Sequence, residues 1–142
     1  MAASLTDEEL ALVQSTRVGH LATVDEQGQP HVVPVCYVWH EGLIFTPIDE
    51  KPKRPGAGPL QRERNIEGNA AVCLTVDRYD EDWTKLAWLQ IRGAAAILGS
   101  GLDCPAALAA LRERYPQYRE MDLESRPLIQ ITPRIVRSWR AT

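Results

Sequence analysis

The spacing of apolar and polar positions changes several times along the chain, and each change marks an element. Leu5-Thr6-Asp7-Glu8-Glu9-Leu10 predicts a short helix. Thr6 is placed as its N-cap, Glu9 completes a capping box, and Leu5 and Leu10 form the accompanying staple. The period then drops to two. "VGHLATV" and "HVVPVCYVW" are Val-rich runs separated by "DEQGQP", with Gly28 supplying the turn, so they predict a hairpin. Val33, Val35, Tyr37 and Trp39 share one face of the second run; Val32, Pro34, Cys36 and Val38 share the other. Both faces are mostly apolar, which predicts a strand covered on both sides. Pro34 has no N–H for a ladder bond and marks an edge or a bulge.

After the turn "HEG", "LIFTPI" is a third strand. "LQRERNIEGN" predicts a short helix with Leu60 and Ile66 inward and Gly68 near its end. "AAVCLTVDRY" is a fourth strand, "DEDWT" a turn, and "KLAWLQIRGAAAIL" a long fifth strand. The small residues Gly93 to Ala96 permit close backbone approach there. Asp103 is expected to cap a helix over "PAALAALRERY", with Pro105 in its first turn and Pro116 as its stop. "LIQITPRIVRSW" is the last strand. Six strands outnumber the helices and mostly meander. The expectation is a mainly β (α+β) chain, an antiparallel barrel with short helices at its openings, forming one domain over residues 1–142.

Composition narrows the function. The chain has 142 residues and a formal net charge of -3, which argues against general nucleic-acid binding. No apolar run is long enough for a membrane helix. "MAASLTDEEL" lacks the positive and apolar regions of a signal peptide. Three widely spaced cysteines, Cys36, Cys73 and Cys104, fit a reducing cytoplasm better than a disulfide framework. Against the acidic background stands a cationic loop, "FTPIDEKPKRPGAGPLQRERNI". In it Lys51, Lys53, Arg54, Arg62 and Arg64 face only Asp49, Glu50 and Glu63.

The usual catalytic signatures are missing. There is no H-E-x-x-H, C-x-x-C or G-x-S-x-G, and His20, His31 and His40 are scattered, so a metal site is not expected. "RPGAGP" lacks the spacing and Lys-Ser/Thr of a P-loop, and "GSG" at 99–101 does not fit a dinucleotide fingerprint. Glu81 and Asp82 sit in a turn and read as solvated. An enzyme with this sequence has to borrow its chemistry from a cofactor.

Strand order and residues together resemble the pyridoxine 5'-phosphate oxidase-like split β-barrel family, which binds flavins and deazaflavins. The resemblance runs through "GHLATVDEQGQPHVVPVCY", "GLIFTPIDEKPK", "LQRERNIEGNAAVCLTVDRY", "DEDWTKLAWLQIRGAA" and "PLIQITPRIVRSW". "PIDEKPK", "DEDW" and "W-x-x-x-R-G" are similar to the branch assigned to coenzyme F420 more than to the FMN oxidases. The resemblance implies a six-stranded antiparallel split β-barrel of the FMN-binding type. It also implies a homodimer with two equivalent cofactor sites at the interface, and a phosphate held by basic residues.

On that resemblance, Lys51 and Lys53 stand where the family places its phosphate-binding lysine; Lys53 is preferred, and a solvated loop is the plainer alternative. Arg54 is an even choice between the two. Arg62 grips phosphate or carboxylate at two points, or forms a salt bridge instead; Arg64, two residues on, points elsewhere. Thr46 offers a hydroxyl to the phosphate or ring edge, or is simply a β-former. Trp83 and Trp88 flank the start of the fifth strand and either cover a tricyclic ring or pack in the core. Only Trp88 shares a face with Arg92, which needs an anionic partner if buried. Arg137 and Trp139 share a face of the last strand, and His31 and Tyr37 are further ring neighbours. The loop "RPGAGP" is longer than in the simplest family members and leaves the phosphate ligand open.

The implied function is hydride transfer between F420 and a small conjugated substrate. The alternatives are an FMN-dependent enzyme of the same fold, or a non-catalytic flavin, deazaflavin or haem carrier. The R-x-H-like C-terminal signature of pyridoxine phosphate oxidases is not visible in "VRSWRAT", which speaks against that reaction.

Overall fold

The computed structural model describes residues 2–48 and 58–142. Lys51, Lys53 and Arg54 therefore lie outside the described residues. Three helices, α1 (Asp7–Ser15), α2 (Gln61–Gly68) and α3 (Pro105–Arg114), flank a single antiparallel sheet. Its strands are β1 (Gly19–Val24), β2 (Pro30–Val35), β3 (Val38–His40), β4 (Leu43–Pro47), β5 (Ala71–Arg78), β6 (Ala87–Leu98) and β7 (Leu128–Arg140). The order is β2-β1-β5-β6-β7-β4-β3. The chain is thus mainly β, a curled antiparallel sheet of the split-barrel kind. Strands adjacent in sequence, β2 and β3, end up on its two opposite edges.

That separation corrects the expected six strands to seven among the described residues. The run "HVVPVCYVW" does not stay one strand, because Tyr37 leaves the ladder. Its ring is wholly buried, and its hydroxyl donates to the Val13 carbonyl at 2.6 Å, with the Thr16 carbonyl 3.0 Å away. The backbone groups freed by the break are recovered by one side chain. The Tyr115 hydroxyl accepts from the Tyr37 N–H at 3.1 Å and lies 2.9 Å from the Tyr37 carbonyl. Buried backbone polar groups need such partners, so the break is specified by Tyr115 as much as by Tyr37.

A second expectation also changes. β2 is an edge strand covered on one face only: Val33 and Val35 turn inward, whereas Val32 is 59% exposed and Pro34 is exposed. The missing N–H of Pro34 is therefore tolerated at an edge. The hairpin turn has Gly28 at φ 79°, and the Asp25 carboxylate accepts from the N–H groups of Gln27 and Gln29 at 2.9 and 2.8 Å.

The helices follow their caps. Thr6 and Glu9 form the reciprocal box at α1. Asp103 does not cap α3. It sits in the 3₁₀ turn Gly101–Asp103, where its carboxylate accepts from the Ser100 N–H at 3.2 Å. α3 begins at Pro105 without a side-chain cap, as suits a residue with no N–H to satisfy.

Two apolar clusters result. The larger fills the inside of the curl with Leu21, Ile44, Leu74, Leu89, Ile91 and Ile131, joined by Leu12 and Val13 of α1 and Ile66 of α2. The smaller lies between α3 and β3–β4, with Val38, Phe45, Leu108 and Leu111. β6 and β7 pair over their whole length, with a bulge between Arg92 and Gly93. A Cβ on Gly93 would stand 2.2 Å from the Thr132 carbonyl oxygen, so the close approach expected there requires glycine.

Candidate functional site

Alternation along β5, β6 and β7 turns one face of each strand inward and leaves the other without a covering layer among the described residues. The register aligns that outer face in rows. Pro34, His20, Thr75, Gln90 and Arg137 cross β2, β1, β5, β6 and β7 in one row. Val32, Ala22, Cys73, Arg92 and Ile135 form the next. On the opposite side of the first row, Asp77, Trp88 and Trp139 are aligned. Trp88 is 39% and Trp139 47% exposed, with Ile135 at 42%. Two exposed indoles side by side on an open sheet face make this end a candidate binding surface.

A groove of about 490 Å³ runs along the tryptophan end of this face, with His20, Thr75, Asp77, Tyr79, Trp88 and Trp139 in its walls. Its volume lies in the range of small-molecule sites, and its two neighbouring indoles suit a flat aromatic group. Trp83 stands apart from it in the 3₁₀ turn before β6, 67% exposed, with Nε1 donating to the Tyr79 hydroxyl at 3.4 Å. Arg92 is exposed. Its Nε donates to Gln90 Oε1 at 3.1 Å, and no carboxylate pairs with it among the described residues. The Arg137 Nη1 donates to the carbonyl of Val136 at 3.1 Å. Beside Arg92, burial pushes the Cys73 thiol upward, with the Thr75 hydrogen bond and the Arg92 charge pulling the other way. Cys73 is therefore no ready thiolate.

The sequence-predicted residues fall in three places. Trp88 and Arg92 stand on the outer face of β6, joined by Arg137 and Trp139. Thr46 is elsewhere. It is 1% exposed, in β4 opposite Ile129 and beside the inward-facing Ile44 position of the same strand face. Arg62 is half-buried on α2. On the same helix, Asn65 donates to Thr23 Oγ1 at 2.9 Å and accepts from Gln61 at 2.7 Å. His31 stands opposite Thr23 on the inner side of β2, and its Nδ1 is buried without a hydrogen-bond partner among the described residues. Tyr37, expected beside a ring, is a core residue. His20, Thr75, Cys73 and Asp77 were missed by motif reading. Their signal is the alternation in "HLATV" and "AVCLTVDR", which sets His20, Cys73, Thr75 and Asp77 on the face opposite the buried Leu21, Val72, Leu74 and Val76.

Among the described residues no three His, Cys, Asp or Glu side chains are grouped to hold a metal. No helix is long and apolar enough to cross a membrane.

The fold defines a split-barrel protein, and comparison with known proteins agrees on the fold. The pyridoxamine 5'-phosphate oxidase family matches residues 5–140, and the chain belongs to that family. No curated protein matches the chain. Three solved structures show how little the fold alone says about the ligand. The haem storage protein HutZ of Vibrio cholerae is 21% identical, with a TM-score of 0.70 over 97% of this chain and 95% of its own. A FAD-binding protein of Mesorhizobium loti is 20% identical, with a TM-score of 0.69 over 100% of this chain and 99% of its own. An F420 reductase is 24% identical, with a TM-score of 0.65 over 94% of this chain and 98% of its own.

Proposed function

We propose that this chain is an F420-dependent oxidoreductase that moves a hydride between the deazaflavin and a small conjugated substrate. The observation that carries the reading is the uncovered outer face. It carries paired indoles, Trp88 and Trp139, with the cation Arg137 in the next row and Arg92 one row beyond, which is the chemistry a flat ring with an anionic tail calls for. A deazaflavin supplies two-electron hydride chemistry when bound, and the protein supplies binding, orientation and exclusion of water.

The residue roles follow from position. Trp88 covers one side of the ring, and Arg92 pairs with an anionic group of the cofactor. Lys51 and Lys53, in the loop after β4, bind the phosphate as point charges, and Arg62 adds a two-point grip. Thr46 is too deeply buried for an open contact within one protomer. Its role is to hold the end of β4 from which the cationic loop leaves. The same face is also the homodimer interface in this proposal: a second copy covers Val32 and Ile135 and brings its own Arg92 towards the first copy's loop. The acidic chain keeps its cationic loop for the cofactor's anionic tail.

A second reading is haem or FMN binding without F420 chemistry. The His20 imidazole in the groove wall favours haem, since it is an available axial ligand. The deciding experiment titrates the purified chain with F420, FMN and haem, following tryptophan fluorescence. Micromolar quenching by F420 alone supports the proposal and opens a substrate screen under reducing conditions. Quenching by FMN alone makes the chain a flavoprotein. A Soret band lost on His20→Ala substitution makes it a haem protein.

A further inference from the structure

We infer that a second small-molecule site lies between the C-terminal ends of α1 and α3, and that its ligand is an amphipathic monocarboxylate. A groove of about 520 Å³ opens there. Among the described residues it shares none with the tryptophan groove. Its apolar surface comes from Val18, Cys36, Tyr118 and Met121, and its cations are Arg17 and Arg114. No acidic residue lines it among the described residues.

The two arginines are not equivalent. Arg114 is fully engaged. Its Nη1 donates to the Gln14 carbonyl at 2.7 Å, its Nη2 to the Thr16 carbonyl, and its Nε to the Tyr115 hydroxyl at 3.0 Å. The guanidinium also stacks 5.1 Å above the Tyr37 ring and 5.4 Å from the Tyr115 ring. It is a structural cap on the end of α1. Arg17 is only half used. Its Nη1 donates to the Arg114 carbonyl at the end of α3, and its guanidinium lies 5.9 Å from the Tyr115 ring. Nε and Nη2 of Arg17 donate to nothing among the described residues.

Charge bookkeeping points the same way. Each helix end offers about half a negative charge, against two full guanidinium charges, and no carboxylate pairs with either arginine among the described residues. A planar carboxylate matches the free edge of Arg17 in two-point fashion. Val18, 42% exposed, and the half-buried Cys36 and Met121 then receive an aliphatic or aromatic body. The groove's volume suits a ligand on the order of a dozen heavy atoms.

The test compares octanoate with octanol, titrated into the whole chain by calorimetry and followed by amide NMR shifts. Octanoate should saturate at least about tenfold more tightly than octanol, the usual worth of a charge-assisted hydrogen bond pair. Shifts should centre on Val18, Cys36, Gln117 and Met121. Arg17→Gln should bring octanoate down to the level of octanol. Met121→Trp, which fills the groove without touching the charge, should weaken both ligands. Equal binding of the two ligands overturns the inference, as do unchanged octanoate binding in Arg17→Gln, shifts centred on the outer face of β6, or no saturation by millimolar octanoate. None of these readouts involves F420, so the site stands or falls independently of the proposed function.

Discussion

Removing the Tyr115 hydroxyl tests how one apolar run becomes two edge strands. In Tyr115→Phe the ring stays and a single oxygen goes. That oxygen accepts from the Tyr37 N–H at 3.1 Å and from Arg114 Nε at 3.0 Å. Its hydrogen is shared between the carbonyls of Tyr37 and Arg17, each 2.9 Å away. Arg17 is exposed, so its carbonyl and the nearby guanidinium can recover partners from water. The N–H of Tyr37 is in a wholly buried residue and cannot. Leaving a buried donor unpaired costs about 1–3 kcal/mol, and about 2 kcal/mol is expected here. For a chain of this length that lowers the midpoint of thermal unfolding by roughly 7 °C.

Tyr37→Phe is the matched control. The Tyr37 hydroxyl meets two carbonyls, Val13 and Thr16, and Arg114 Nη2 donates to both as well. Its loss should cost about 1 kcal/mol or less. Thermal unfolding followed by circular dichroism at neutral pH measures both. A Tyr115→Phe protein within about 0.5 kcal/mol of the parent, or one more stable than Tyr37→Phe, would refute the account of the strand break.

Three other predictions concern different parts of the molecule. Burial pushes the Tyr37 hydroxyl far above the ordinary tyrosine range, against the pull of the Arg114 charge. Its proton is held more tightly in the folded state, so stability should fall as pH rises past about 10, where the unfolded chain begins to ionise. Tyr37→Phe should lose that part of the alkaline slope in a melting series. Gly93→Ala places a methyl group 2.2 Å from the Thr132 carbonyl oxygen. It should destabilise by about 2 kcal/mol, read from a urea curve with unchanged slope; a neutral result would mean that the bulge relaxes freely. Lys53→Ala should weaken F420 binding by about tenfold, with Lys51→Ala weaker in effect, and both losses should shrink at high salt. Equal affinity in both variants at low salt would remove the lysines from the cofactor proposal.

Legibility in the sequence followed the range of the interaction responsible. The capping box at Thr6 and Glu9 and the Gly28 turn were readable because each depends on residues close in the chain; the small residues from Gly93 to Ala96 signalled a close approach, but that Gly93 is the position requiring glycine is set by the Thr132 carbonyl on β7. The cap of α3 was misread, because Asp103 had two nearby uses and the Ser100 turn claimed it. The pairing of Trp88 with Arg92 on one face was readable from the period of a strand. Their meeting with Trp139, Arg137 and His20 was not, because no local spacing joins β1, β6 and β7.

The sequence by itself determined the element types, the sheet-rich class and the family, since these rest on periodicity, turn residues and ordered motifs. Tertiary structure decided where the "HVVPVCYVW" run breaks, because the break depends on a hydroxyl from Tyr115, 78 residues away. It also decided which of the two apolar faces of β2 is left open, and that Thr46 points inward while Trp88 and Arg92 point outward. Strand alternation states that neighbours face opposite ways; only the closing of the sheet on its core states which way is in.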